Sequence, residues 1–247
     1  MNNKKILFFI IALIAVLMVG CADKDTNNTV EPNGNVENGS TEISGEYDES
    51  VVVAIVNGVE ITNKEFMPMY LKTKLNYEDY GYTFVTEEEL ALLEELKGTI
   101  LENLIHEEVL FQEATRSGHT VTDDRLSREI DMIKLGFASD AEYQEALISE
   151  GLTEADLKEI IRRDIVIGNY FEEVLNVSVT EEEILEMYYE LKELYEEMSE
   201  GMEEPFVMPE LAEIRDELSD EIMYNKEMEE LYRILDGLME KSDVQIL

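Results

Sequence analysis

The stretch VVVAIVNGVEIT, residues 51–62, decides the fold of this chain. Valine and isoleucine favour strands, and Asn57-Gly58 suits a two-residue type I′ turn, in which both residues have positive φ. The last four residues, VQIL at 244–247, are the other strand-like segment. So short a strand is not stable alone, so we expect it to pair with residues 51–56. The pairing would close residues 51–247 into one domain.

Between these ends the apolar residues follow helical periodicity. A capping hydroxyl with an acidic residue three positions later precedes each of four apolar stripes, a pattern typical of helix starts. These pairs are Thr86 with Glu89, Ser139 with Glu142, Thr153 with Asp156, and Thr180 with Glu183. The predicted fold class is therefore mostly α, a multi-helix domain with a small β closure formed by the N- and C-terminal strands.

The apolar stripes predict which helix faces are buried. The longest runs through Leu93, Leu96, Ile100, Leu104 and Phe111 and ends at Gly118. Shorter stripes are Leu126, Ile130 and Ile133, then Tyr143 and Leu147 up to Gly151, then Leu157, Ile161, Ile165 and Phe171. A helix from Thr180 enters an acidic stretch broken by Pro205 and Pro209, and residues 211–247 hold the last helix and strand. We thus divide the domain into core helices at 51–190, a connector at 191–210 and a C-terminal segment.

The N-terminus has the pattern of an export signal. Lys4 and Lys5 precede an uncharged apolar run, residues 6–19, that is too short to span a bilayer, and Gly20-Cys21 follows. A small residue before the only cysteine resembles a lipobox, which implies a signal peptide at 1–20 and lipidation of Cys21. The alternatives are a cleaved secretory signal with an incidental cysteine and an uncleaved anchor. Residues 21–50 are polar and predict a disordered tether.

The chain is strongly acidic, with 58 acidic and 19 basic side chains and a net charge of −39. This charge excludes nucleic acid as a partner and repels anionic lipid, so membrane attachment would need the acyl anchor. Two explanations remain open, solubility in a salty or alkaline medium and attraction of basic, unfolded clients.

No arrangement of residues predicts catalysis, and we expect no enzyme, cofactor or metal. His106 begins His-Glu-Glu-Val-Leu, but Leu110 stands where a zinc-protease helix needs its second histidine. His119 follows Gly118 in a predicted turn. A phosphate loop, a nucleophile elbow and a calcium loop are all missing.

The order of elements resembles the N-terminal chaperone region of the SurA and PrsA foldase lipoproteins. The resemblance is carried by VAIVNGVEIT, ENLIHEEVLFQEATRSGHTVTDDRLSREI, EYQEALISEGLTEADLKEIIRRDI and NVSVTEEEILEMYYE, within residues 51–190. It implies an extracytoplasmic chaperone on the membrane that holds unfolded or exported polypeptide clients without ATP. Those foldases insert a parvulin isomerase domain where this chain has only the acidic connector 191–210.

Candidate client contacts lie in NYEDYGYTFV, residues 76–85, a predicted loop with Tyr77, Tyr80, Tyr82 and Phe84. Aromatic side chains provide a large contact area at low entropy cost, but two or more could instead cover the core. The leading hypothesis is a membrane-anchored, chaperone-like lipoprotein without isomerase activity. The alternatives are a dedicated docking or accessory lipoprotein of one envelope complex and, third, a peptidyl-prolyl isomerase by family inheritance.

Overall fold

The structure, a computed structural model, describes residues 47–200, 202 and 206–247. The predicted signal peptide at 1–20, Cys21 and the tether as far as residue 46 lie outside the described residues. The end of the predicted tether contacts the folded part, because the Lys64 backbone N–H donates to the Glu49 carbonyl at 3.2 Å. At least Asp48 and Glu49, which the sequence assigned to the tether, therefore make backbone hydrogen bonds with the folded part.

The two ends of the folded region meet in one antiparallel sheet. Strands β1 (Val52–Val56), β2 (Val59–Thr62) and β3 (Val244–Ile246) lie in the order β2-β1-β3. Asn57 and Gly58 join β1 to β2 with φ of 51° and 87°, as a type I′ turn requires. Ala54 lies opposite Ile246 and Val56 opposite Val244. The predicted pairing of the terminal strands is confirmed.

Seven helices account for most of the described residues, so the mostly α class is also confirmed. They are α1 (Asn63–Asp79), α2 (Glu87–Arg116), α3 (Asp123–Lys134), α4 (Asp140–Ser149), α5 (Glu154–Val174), α6 (Glu181–Ser199) and α7 (Leu211–Met239). Capping explains where several begin. Thr86 with Glu89 and Thr180 with Glu183 form the predicted capping boxes, and Thr62 with Glu65 forms a further one that caps α1.

The described chain separates into two compact units. The first contains the described residues as far as Tyr170 together with Ser242–Leu247. An apolar core cluster lies between α3, α4 and α5 and consists of Leu126, Ile130, Tyr143, Leu147, Leu157, Ile161 and Ile165. Every one of these residues belongs to a stripe predicted from helical periodicity.

The stripe predicted for α2 is only partly right. Leu93 and Ile100 are buried, whereas Leu96, Leu104 and Phe111 are only half-buried. The other fully buried α2 residues are Ile105, Glu108, Val109, Leu110 and Ala114. The buried face changes along the helix because α2 packs against α1 and also against β1. One straight stripe could not describe both contacts.

The second unit, Phe171–Lys241, contains α6 and α7. The Arg215 guanidinium pairs with Glu181, and the Lys226 ammonium pairs with Glu183 and donates to the Ser178 carbonyl at 2.7 Å. Near the middle of α6, the Tyr188 hydroxyl donates to the Pro209 carbonyl at 3.2 Å. These contacts make α6, its connector and the first half of α7 a helical hairpin.

Candidate functional site

The predicted aromatic loop begins later than expected, because α1 continues to Asp79 and includes Tyr77. The helix ends in a Schellman motif: Tyr82 N–H donates to the Tyr77 carbonyl at 3.1 Å and Gly81 N–H to the Glu78 carbonyl at 2.9 Å. Gly81 has a φ of +95°, which only glycine adopts at little cost. Assigning residue 77 to a loop was wrong because this glycine had not been recognised as the residue that ends the helix.

Phe84 anchors the loop in the first unit. Its side chain is only 8% exposed, and the Lys74 ammonium lies 5.4 Å from its ring centroid. Its φ is +54°, an uncommon value for a residue with a bulky side chain. The burial of the ring holds the backbone in this conformation, so Phe84 contributes to packing.

Tyr80 and Tyr82 are the exposed members of the group. The Tyr80 side chain is 87% exposed and that of Tyr82 is 40% exposed. The Tyr82 ring makes an edge contact with Tyr77 at 5.2 Å and stacks on Phe84 at 6.1 Å between centroids. Tyr82 is thus supported on both sides by other rings, while Tyr80 projects from the helix end.

The Glu89 carboxylate fixes the rest of the loop from the first turn of α2. It accepts hydrogen bonds from the Val85 N–H at 3.0 Å, the Thr86 N–H at 3.3 Å and the Thr83 hydroxyl at 3.1 Å. The backbone hydrogen bond from Val85 is the main reason why the pKa of Glu89 lies below its ordinary value. The carboxylate thereby holds the backbone on either side of Phe84, from Thr83 to Thr86.

Two further apolar side chains extend this surface, and the sequence analysis did not single them out. Val85 is 76% exposed, and Leu90 on the first turns of α2 is 48% exposed. Leu90 stands three residues before Leu93, a spacing that fits the predicted stripe, so periodicity offered no signal that Leu90 faces solvent. We define the aromatic loop surface as Tyr80, Tyr82, Val85 and Leu90.

A buried polar network lies elsewhere in the first unit. Arg163 of α5 donates to Glu107 at 2.6 Å and to the buried Glu108 at 2.8 Å, with its guanidinium 4.3 Å from the centroid of the Phe111 ring. The Gln112 amide donates to Glu108 at 2.7 Å and to the Val56 carbonyl at 3.0 Å. The network thus ties α5 to α2 and α2 to the sheet.

Asp164 lies beside this network and is its least satisfied member. Its Oδ2 is buried and has no hydrogen-bond partner among the described residues. Burial, and then repulsion from Glu107, raises the pKa of Asp164 to about 7, although Arg163 partly opposes the shift. The hydrogen bonds of Arg163 to Glu107 and Glu108 span 56 and 55 residues of sequence, so no local sequence pattern could predict this network.

The two histidines each contact a neighbouring side chain. His106 is half-buried on α2, 3.9 Å from the Glu102 carboxylate, and the His119 ring makes an edge contact with Tyr170 at 5.8 Å. Among the described residues, no group of three or more His, Cys, Asp or Glu side chains could hold a metal ion. No helix in that part of the chain is both long and apolar enough to cross a bilayer.

Comparison with known proteins identifies relatives of this chain. Residues 1–171 match the family described as SurA-like N-terminal domain. Foldase protein PrsA of Caldanaerobacter subterraneus subsp. tengcongensis is 26% identical over 211 residues, which cover 80% of this chain and 55% of that protein. Foldase protein PrsA of Clostridium botulinum (strain Kyoto / Type A2) is 33% identical over 146 residues, which cover 56% and 44%. The chain spans about half the length of these relatives. Because the family match extends over more than half of the sequence, the chain belongs to the SurA-like N-terminal domain family.

Proposed function

We propose that this protein is an ATP-independent, chaperone-like lipoprotein that binds unfolded or peptide segments of exported proteins. Family membership supports a role in protein folding, since its relatives are named foldases. The observation that carries the proposal is the exposure of Tyr80 and Tyr82 on a loop whose backbone is held by Gly81 and Glu89.

This geometry suits a binding surface. A tyrosine ring provides a large amphipathic contact area with few rotatable bonds, so little entropy is lost when it binds a partner. A loop that is already ordered avoids a further ordering cost on binding. Tyr82 is supported by Tyr77 and Phe84, and Tyr80 is available from the helix end. Such a surface binds apolar and aromatic segments with little dependence on their sequence.

The proposed activity does not include prolyl isomerisation. α6 ends at Ser199 and α7 begins at Leu211, so the segment between them is far shorter than the parvulin domain that the resemblance places there. Binding by the helical part would be the whole activity of this chain.

We also propose that the protein acts at the extracytoplasmic face of the cell membrane, anchored by lipid on Cys21. The apolar run at 6–19 followed by Gly20-Cys21 supports this location. A net charge of −39 gives the chain no electrostatic attraction to anionic lipid, so the acyl chains would supply the attachment.

The experiment is an aggregation assay with three unrelated denatured proteins at stoichiometric ratios. We expect the protein to suppress light scattering by all three without ATP, and we expect no acceleration of Xaa-Pro isomerisation in a peptide assay. If the protein fails to suppress aggregation of all three clients, and cross-linking in intact envelopes recovers one bound species, the protein would instead be a dedicated accessory protein.

A further inference from the structure

Several large apolar side chains are exposed at the end of the helical hairpin in the second unit. Along α6, Ile184 is buried, Tyr188 and Leu191 are half-buried, and Leu194 and Met198 are exposed. These residues follow helical spacing, so one apolar face continues to the end of the helix. Toward that end the face is no longer covered by other residues. The Tyr188 contact with Pro209 places the start of α7 near the middle of α6. The last turns of α6 therefore extend past α7.

The connector folds back over part of this end. The Phe206 N–H donates to the Ser199 hydroxyl at 2.8 Å, and the Phe206 ring makes an edge contact with Tyr195 at 6.4 Å. Phe206 nevertheless remains half-exposed, and Val207 is 85% exposed. We define the hairpin tip as Leu194, Met198, Phe206 and Val207. Large apolar side chains grouped in this way are typical of interaction sites.

Carboxylates surround the hairpin tip. Glu193, Glu196, Glu197 and Glu200 are all exposed on the last turns of α6. Counted along the sequence, residues 171–241 contain 24 acidic and 5 basic side chains. Three of the basic side chains already pair within the unit, Arg215 with Glu181, Lys226 with Glu183, and Arg233 with Glu230. Most carboxylates of this unit therefore have no compensating cation from its own sequence.

We propose that the hairpin tip binds basic amphipathic polypeptide segments, whose apolar side chains contact Leu194, Met198, Phe206 and Val207 while their lysines and arginines face the surrounding glutamates. The inference rests on the proposed function and narrows it, because it names the chemical class of client bound at a second surface. Charge complementarity selects this occupant. A second copy of the chain would bring a net charge of −39 to the same place, and an anionic membrane would be repelled in the same way.

The test uses the full mature protein and three fluorescent peptides of about 14 residues, roughly four helical turns. One places leucine at i, i+3, i+4 and i+7 spacing and lysine at the other positions to form an amphipathic helix, the second replaces lysine by glutamate, and the third replaces leucine by serine. We expect the lysine-leucine peptide to bind at least tenfold more tightly than the other two by fluorescence anisotropy. Its affinity should fall when salt is raised from 0.1 M to 1 M, which shortens the Debye length from about 10 Å to about 3 Å.

The matched variants are Leu194→Ser with Met198→Ser, and Tyr80→Ser with Tyr82→Ser. All four positions are exposed, so both doubles should fold, which circular dichroism checks. The first double should bind the lysine-leucine peptide about tenfold more weakly, and Glu196→Gln with Glu197→Gln should also weaken binding. Equal affinity for the lysine-leucine and glutamate-leucine peptides, or unchanged binding in the first double, would overturn the inference. The inference would also be overturned if the unmutated protein bound zwitterionic vesicles or formed dimers and the Leu194→Ser, Met198→Ser double abolished either behaviour.

The two proposals fail in distinguishable ways. If aggregation suppression depends on Tyr80 and Tyr82 while the hairpin tip variants bind peptide normally, the proposed function stands and the inference is wrong. If the lysine-leucine peptide binds through Leu194 and Met198 but no denatured protein is protected, the chaperone function is wrong and the acidic docking surface remains.

Discussion

Asn57 and Asp243 form a reciprocal pair across 186 residues of sequence: the Asn57 N–H donates to the Asp243 carbonyl at 2.7 Å, and the Asp243 N–H donates to the Asn57 side-chain oxygen at 2.8 Å. The Asn57 amide also donates to Gln112 of α2 at 2.9 Å. One turn residue therefore joins the hairpin, the C-terminal segment and the long helix. The turn both connects β1 to β2 and sets the position of β3.

Deleting residues 243–247 should destabilise the first unit. The truncation removes the Asn57 pair, the β1–β3 ladder and the Leu247 N–H bond to the Val53 carbonyl at 3.1 Å. With about 0.5–1.5 kcal/mol for each hydrogen bond, we expect a loss of about 2–5 kcal/mol in the free energy of unfolding. Chemical denaturation measures it, with Gln245→Ala, at an exposed position, as the control. An unchanged midpoint in the truncated protein would contradict the closure.

Tyr80→Ser with Tyr82→Ser should weaken client binding while the melting temperature changes little, because Tyr80 is 87% exposed and Tyr82 40% exposed. Phe84→Ala is the contrasting variant, since its ring is buried, and it should cost about 3–5 kcal/mol of stability. Anisotropy with an aromatic peptide and thermal melting measure the two effects. Wild-type affinity in the tyrosine double would remove both residues from the site.

Arg163→Ala should be strongly destabilising, because it leaves Glu108 as a buried charge without its cation. Removing one member of a buried pair typically costs about 3–5 kcal/mol. Replacing both members, as in Arg163→Met with Glu108→Leu, should recover much of this loss, because Glu108 is then no longer left as an unpaired buried charge. Urea denaturation of the two variants checks the expectation. A double variant less stable than Arg163→Ala would show that the network matters for more than charge pairing.

Asp164 should make stability depend on pH. Its pKa in the folded state, about 7, is above the ordinary 3.8, so the folded protein binds the proton more tightly than the unfolded chain. This contribution to stability is fully present below about pH 4 and is lost as pH rises through 7. Asp164→Asn should remove that dependence and raise stability at pH 8.

Asp156 provides the control of opposite sign. Hydrogen bonds from Lys64 and Thr153 outweigh desolvation and hold its pKa at about 2, so its contribution is lost only in stronger acid. Denaturation midpoints from pH 8 down to about pH 2 test both, since the Asp156 contribution is lost between about pH 4 and pH 2.

Cys21→Ser should leave the precursor unprocessed and unlabelled by a palmitate analogue, if the lipobox resemblance at Gly20-Cys21 is correct. Metabolic labelling followed by electrophoresis measures both effects. Normal maturation of the variant would favour an ordinary secretory signal.

Local sequence determined most of the secondary structure of this protein. Asn57-Gly58 adopts positive φ in both residues without a steric penalty, so the β1–β2 turn could be recognised from two letters. Thr86 and Thr180 cap the helices that follow because hydroxyl and carboxylate lie three residues apart. Periodicity also predicted the α3–α5 cluster correctly, because each of those short helices buries one face.

Tertiary structure decided which of the predicted aromatic residues are exposed. Tyr77, Tyr80, Tyr82 and Phe84 lie within eight positions, yet Phe84 is buried and Tyr80 is almost fully exposed. Their difference arises because the Phe84 ring packs into the first unit beside Lys74 of α1, whereas Tyr80 lies at the exposed end of that helix. The pairing of Arg163 with Glu107 and Glu108 likewise depends on α2 and α5 meeting in space. Sequence determined the local elements because their interactions span three or four residues, whereas burial and long-range charge pairing exist only once the helices have packed.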